Sequence, residues 1–164
     1  MIKDKVLKAL DKQINMELNS SYIYLAMSSF FYEENLNGFA TWFRVQSGEE
    51  YGHAMKIFDY IHQANANVNL LKIDEPKSEW KTALDVFKDT YKHEQLVTAS
   101  IYSLVDLAIT EKDHATNNFL QWFVSEQVEE ESTALTILEK VKLVGDNKSG
   151  LFLLDRELGQ RAAH

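Results

Sequence analysis

The chain has no cysteine among its 164 residues. That excludes disulfides, thiolate zinc sites and iron–sulfur clusters. Proline occurs once and glycine six times, so long stretches carry no helix breaker and an all-α fold is favoured. Basic residues are scarce, 17 against 25 acidic ones, giving a net charge of −8 and a pI near 5.1. A nucleic-acid binder usually presents a basic face, so no nucleic-acid partner is expected. No apolar run approaches the roughly 18 residues of a membrane span. The start, Met1-Ile2-Lys3-Asp4-Lys5, lacks the apolar core of a signal peptide. The expectation is no membrane association and a cytoplasmic location.

What is present is a chain 45% hydrophobic and 12% aromatic, the make-up of a folded protein. Its length fits a single domain, 1–164, with a real core. Apolar residues recur at helical spacing over about 4–34, 38–64, 80–110 and 113–144. Asn35-Leu36-Asn37-Gly38 breaks the first pair, because Asn and Gly tolerate positive φ. Glu111-Lys112-Asp113 breaks the second, with Asp113 as N-cap. Between the second and third helices lie about fifteen residues, too many for a tight turn. They read as a crossover that makes those helices parallel. Gly145-Asp146-Asn147 is a stop, and Leu151-Phe152-Leu153-Leu154 with Asp155-Arg156-Glu157-Leu158 reads as a short fifth helix within about 147–160. The expected fold is an all-α four-helix bundle over about 4–144, with a long crossover between helices two and three and a fifth helix after it.

Polar residues interrupt the apolar stripes at matched places. The second helix runs Phe39, Phe43, Gln46, Glu50, His53, Ile57, Ile61 along one face. Glu50 and His53, three apart, leave the same side of that helix. With an offset of 77 residues, Glu17, Glu50 and His53 are echoed by Glu94, Gln127 and Glu130. Residues equidistant from an antiparallel turn lie level. Glu17 stands 19 residues before position 36 and His53 17 after it, while Glu94 and Glu130 each stand 18 from position 112. At ~1.5 Å per residue the mismatch is a few ångströms. All four helices therefore deliver polar groups to one height in the bundle.

Taken singly, these residues have ordinary explanations. A lone Glu17 reads as a solvated or Arg-paired edge residue, His53 as a hydrogen-bonded core histidine, Tyr24 as packing. The acidic run at 126–131 reads as a solvated face. No Lys or Arg lies on any inner stripe, however, and a buried carboxylate without a cation is costly unless it binds metal. Carboxylates with one imidazole suit iron or manganese better than structural zinc. Four carboxylates neutralise two divalent ions, and Glu50, between the halves, is placed to bridge them.

With these residues in view, the whole chain resembles the haem-free bacterial ferritins. The resemblance implies a first iron site of Glu17, Glu50 and His53 and a second of Glu50, Glu94 and Glu130, with Gln127 nearby. Tyr24 matches the tyrosine beside the di-iron centre, and Glu50, His53 and Tyr24 would carry the catalysis. Glu49, Glu126, Glu129 and shared Glu130 match a third iron site. The implied activity is a ferroxidase: Fe(II) is oxidised by O2 or H2O2 and Fe(III) mineral is stored inside a 24-subunit homo-oligomeric shell. Departures from related families matter as well. Bacterioferritins and rubrerythrins carry a second Glu-x-x-His where this chain has Gln127-x-x-Glu130, so the second metal should be held more weakly. The haem-ligating methionine of bacterioferritin is replaced by Tyr51, so no haem is expected. Two other readings stay open on the residues alone: a di-iron oxidase or peroxidase acting on another substrate, and a metal-free helical interaction protein.

Overall fold

In the computed structural model, which describes residues 2–162, five helices follow one another without a strand among the described residues. They are α1 (Asp4–Glu33), α2 (Asn37–Gln63), α3 (Ala83–Thr110), α4 (His114–Val144) and α5 (Lys148–Leu158). Met1, Ala163 and His164, the ends of the expected 1–164 domain, lie outside the described residues. No helix among the described residues is long and apolar enough to cross a membrane.

Helix ends follow local chemistry. Asn35 takes φ 59° at the α1–α2 turn, as an Asn there permits. Gly38 does something else: it is helical, and a Cβ on it would sit 1.7 Å from the Asp155 backbone oxygen. Its smallness lets α5 cross over the start of α2. The third helix begins later than the apolar pattern implies, because the Thr82 hydroxyl accepts from Asp85 N at 3.1 Å and caps it. Asp113 caps α4 by accepting from Thr116 N at 3.0 Å. Asn147 caps α5 by accepting from Gly150 N at 2.8 Å, so that helix starts ahead of its apolar run.

Contacts between elements fix the topology. Gln13 meets Ser100, Ser20 meets His93 and Met27 meets Thr90, so α1 and α3 run antiparallel. The short turn makes α1 and α2 antiparallel, so α2 and α3 are parallel. Residues 64–82 provide the crossover. It climbs beside α1, pinned by Asp11 accepting from Asn69 N, Asn15 donating to Lys72 O and Asn19 accepting from Asp74 N.

The apolar interior comes in two parts. One holds Phe31, Phe39, Phe43 and Phe87 with Leu154 and Leu158 of α5. The other holds Leu10, Ile14, Ile57, Ile61, Ile101 and Leu120. On α1, Leu25 is 42% exposed while Met27 and Phe30 are buried. Between the two apolar parts lies a polar layer.

Candidate metal centre

That layer consists of Glu17, Gln46, Glu50, His53, Glu94, Gln127 and Glu130, all buried. Each occupies a position where an aliphatic residue would fit the helix stripe, and each comes from a different depth of sequence. No lysine or arginine is buried among the described residues. Two groups of ligand atoms, each lying within 4.8 Å of one another, form here: Glu17, Glu50 and His53, and Glu50, Glu94 and Glu130. Glu50 belongs to both.

His53 faces two ways. Its Nδ1 lies 3.2 Å from Glu50 Oε2 and 3.9 Å from Glu17 Oε2. Its Nε2 lies 3.6 Å from Glu126 Oε1. The rings of Trp122 and Phe123 stand edge-on against the imidazole, at 5.4 and 6.1 Å between centroids. They fix its plane and leave both nitrogens free for polar partners.

Amides orient the acids. Gln13 Nε2 donates to Glu17 Oε1 at 2.8 Å. Gln46 Nε2 donates both to Glu50 Oε1 at 3.0 Å and to Glu130 Oε2 at 2.7 Å, tying α2 to α4. Gln127 Nε2 donates to Glu94 Oε2 at 3.2 Å, to the Glu94 carbonyl and to Thr98 Oγ1. Gln127 thus spends its nitrogen on holding Glu94. The Tyr24 hydroxyl donates to the other oxygen, Glu94 Oε1. Behind Tyr24, His93 stands edge-on at 5.8 Å and bonds Ser20 Oγ at 2.7 Å.

Glu17 Oε2 remains buried with no hydrogen-bond partner. An orphaned carboxylate oxygen, 1% exposed as a residue and facing the His53 nitrogen, is what an absent cation would leave behind. The electrostatics agree. Burial, then the Glu50 charge, pushes Glu17 well above the usual carboxylate range. Glu50 is raised by burial and by Glu94 and Glu130. Burial and Glu94 raise Glu130 to about 7. Glu94 is raised by burial while the Tyr24 and Gln127 hydrogen bonds pull it back. Burial and Glu94 push the Tyr24 hydroxyl well up, keeping it protonated. Four acids crowded together favour protons unless metal ions take their place. The donor set of oxygens plus one nitrogen fits divalent iron.

The residues expected at a third site separate. Glu126, Glu130 and His53 form a third group of ligand atoms within 4.8 Å. Glu49 is drawn off to Arg161, whose Nη2 lies 2.6 Å from its Oε2. Glu129 is exposed. All four line an open groove of about 1070 Å³. Three supporting residues had no role assigned from the sequence: Gln13, Arg161 and Trp122. Gln46 lay on the inner stripe, and its polarity there was the available signal. Arg161 gave none, since a charge past a helix end is ordinary.

The comparisons with known proteins point one way. Residues 7–144 match the family model of the ferritin-like domain. A bacterial non-heme ferritin of Bacteroides fragilis is 45% identical over 161 residues, covering 98% of this chain and 100% of that protein. One from Campylobacter jejuni is 42% identical over 156 residues, covering 95% of this chain and 93% of that protein. Among solved structures, an open-pore ferritin of Archaeoglobus fulgidus superposes with a TM-score of 0.98 at 49% identity, covering 99% of both chains. An engineered closed form of the Archaeoglobus ferritin gives 0.99 at 48% identity, covering all of both. The bundle, its buried acid layer and these likenesses agree: the chain belongs to the ferritin family.

Proposed function

We propose that the protein stores iron, oxidising Fe(II) at the Glu17–Glu50–His53 and Glu50–Glu94–Glu130 groups and passing Fe(III) to a mineral held inside a hollow homo-oligomer, a 24-subunit shell. The observation that carries the reading is Glu50, a buried carboxylate shared by two ligand groups, with no lysine or arginine buried beside it among the described residues. A shared carboxylate holds two ions close enough to act on one oxidant molecule. Each Fe(II) gives one electron, so two together reduce O2, with two protons, to H2O2. The ions are substrate as well as template, and the chain supplies ligands and orientation.

The residues divide the work. Glu17 and His53 hold one ion, Glu94 and Glu130 the other, and Glu50 bridges. Gln46 and Gln127 orient the acids. Only one of the two ions meets an imidazole, so the second is bound more weakly, as suits iron in transit. Tyr24 donates its hydroxyl to Glu94 and tunes that ligand of the second ion. Glu126 and shared Glu130, with Glu49 and Glu129 nearby, offer a third ion a place beside the centre. Fe(II) persists in a reducing compartment, so the cytoplasm is the setting that supplies it. The bundle is one domain throughout, with α5 packed on it.

The test mixes metal-free protein with Fe(II) in air. An absorbance rise from Fe(III) well above that of buffer is expected. Glu94→Gln and His53→Ala should each slow it by at least the roughly 10- to 100-fold that losing a residue which merely orients a ligand costs, with helicity unchanged. No rise above buffer would end the proposal.

A further inference from the structure

The groove beside the centre contains a cation supplied by the chain itself. Arg161 follows α5 and reaches back over α2. Its Nη2 donates to Glu49 Oε2 at 2.6 Å, and Nη1 donates to the Trp42 carbonyl at 3.3 Å. Its guanidinium lies 4.4 Å from the centre of the Trp42 ring. The two side chains of the pair are only 17% and 15% exposed. The placement is not loose. Asp155 of α5 accepts from Phe39 N at 3.0 Å, and Gly159 approaches Gly38 so closely that a Cβ would meet its Cα at 3.1 Å. The arginine is therefore delivered by a docked helix.

The pairing has a consequence for Glu49. Glu126 and Glu130 converge with His53, but Glu49 is absent from that group of ligand atoms. Its second oxygen, Oε1, is buried with no partner at all. One carboxylate oxygen is thus held by a charge-assisted bond, and although the other has no partner, neither belongs to the cluster, so the carboxylate has to turn from the arginine before it can meet an ion there.

We infer that Arg161 is an internal counter-cation that holds Glu49 out of the Glu126–Glu130 cluster, so that a third metal ion gains Glu49 only by displacing the arginine. The inference rests on the reading of Glu49, Glu126, Glu129 and Glu130 as a third ion site. A divalent ion and a guanidinium compete for the same carboxylate, and each disfavours the other by like charge. Displacement leaves Arg161 without its acid in a mostly buried place, which is costly. The third ion therefore binds more weakly than its ligands alone would allow, and the first two positions fill before it. Arg161 touches neither Glu17 nor Glu94, so it acts on the third ion through Glu49 alone. It is a positioning residue that sets the order of filling.

The experiment titrates Zn(II), which is redox-silent, into metal-free full-length protein by calorimetry. Wild type, Arg161→Gln, Arg161→Lys and Glu49→Gln are compared at the same assembled mass. In wild type the third ion is the weakest. Arg161→Gln is expected to tighten it roughly three- to tenfold, the range of a partly exposed ion pair, leaving the first two unchanged. Arg161→Lys keeps the charge and stays near wild type, which a purely packing role would not produce. Glu49→Gln loses the third ion. An unchanged or weakened third ion in Arg161→Gln, with the Glu49→Gln loss intact, overturns the counter-cation alone. Three ions retained in Glu49→Gln overturn it together with the third-site reading. Crystals soaked in Zn(II) give a second check: Glu49 should turn toward Glu126 with the Arg161 contact broken, and Zn(II) bound with that contact intact contradicts the inference.

Discussion

Each acid of the centre is raised by its burial and by its neighbours, and protons and metal ions compete for the same oxygens. Glu130 is the clearest case, moved from 4.5 to about 7. A carboxyl with a folded-state pKa above its unfolded value favours the fold most below the unfolded pKa and loses that contribution as pH rises through the folded one. Metal-free protein should therefore melt several degrees lower at about pH 8 than at about pH 5.5. Zn(II) should raise the melting temperature most at the higher pH. A pH-independent melting temperature in the metal-free form would show that the acids are not crowded as drawn. Tyr24 provides a second check. Its hydroxyl donates to Glu94 and holds that acid down, against burial. Tyr24→Phe removes the donor, so Glu94 rises further and binding of the second ion should shift to higher pH. Calorimetric titrations across pH decide it; an unshifted profile means the bond does not govern Glu94.

Among the elements, α5 is held by a close approach that side-chain size controls. Gly38 leaves room for the Asp155 carbonyl, and Leu154 and Leu158 bury themselves beside Phe39 and Phe87. Gly38→Ala would place a Cβ 1.7 Å from that oxygen, so α5 must lift. Amide hydrogen exchange of residues 148–158 should become fast in Gly38→Ala while α1 and α3 stay protected. Equal protection of α5 in both proteins would show that the crossing adapts at little cost. The same lifting carries Arg161 away from Glu49, so this variant should also bind a third ion more readily.

At the scale of the whole molecule, the surface keeps apolar residues that a solitary chain would not need. Leu143 is 89% exposed, Phe152 67% and Leu153 64%, gathered around α5 and the end of α4. Leu70, Leu71 and Ile73 lie exposed on the crossover. Exposed apolar patches of this kind mark interaction surfaces, which the proposed homo-oligomer would cover. A sizing column should report a mass near that of 24 chains of 18.9 kDa. A monomer or dimer would favour a small di-iron oxidase over a storage shell.

Much of this was legible in the chain alone. Helical stripes, one proline and the turn residue Asn35 specify four long helices, because backbone preference and apolar spacing are local properties. The convergence of Glu17, Glu50, His53, Glu94 and Glu130 followed from counting residues to each turn, since a helix rises by a fixed amount per residue. Contacts between distant residues were not legible. Glu49 was expected as a ligand of a third ion, and nothing in the chain announced that α5 would bring Arg161 to it from 112 positions away. Gly38 looked like a turn residue until Asp155 came to rest on it. Sequence determined which groups are acidic and at what height they sit. Tertiary packing decided which oxygens are held by amides, which one by an arginine and which are left for a metal, because those choices depend on ångström-scale distances between helices that no spacing encodes.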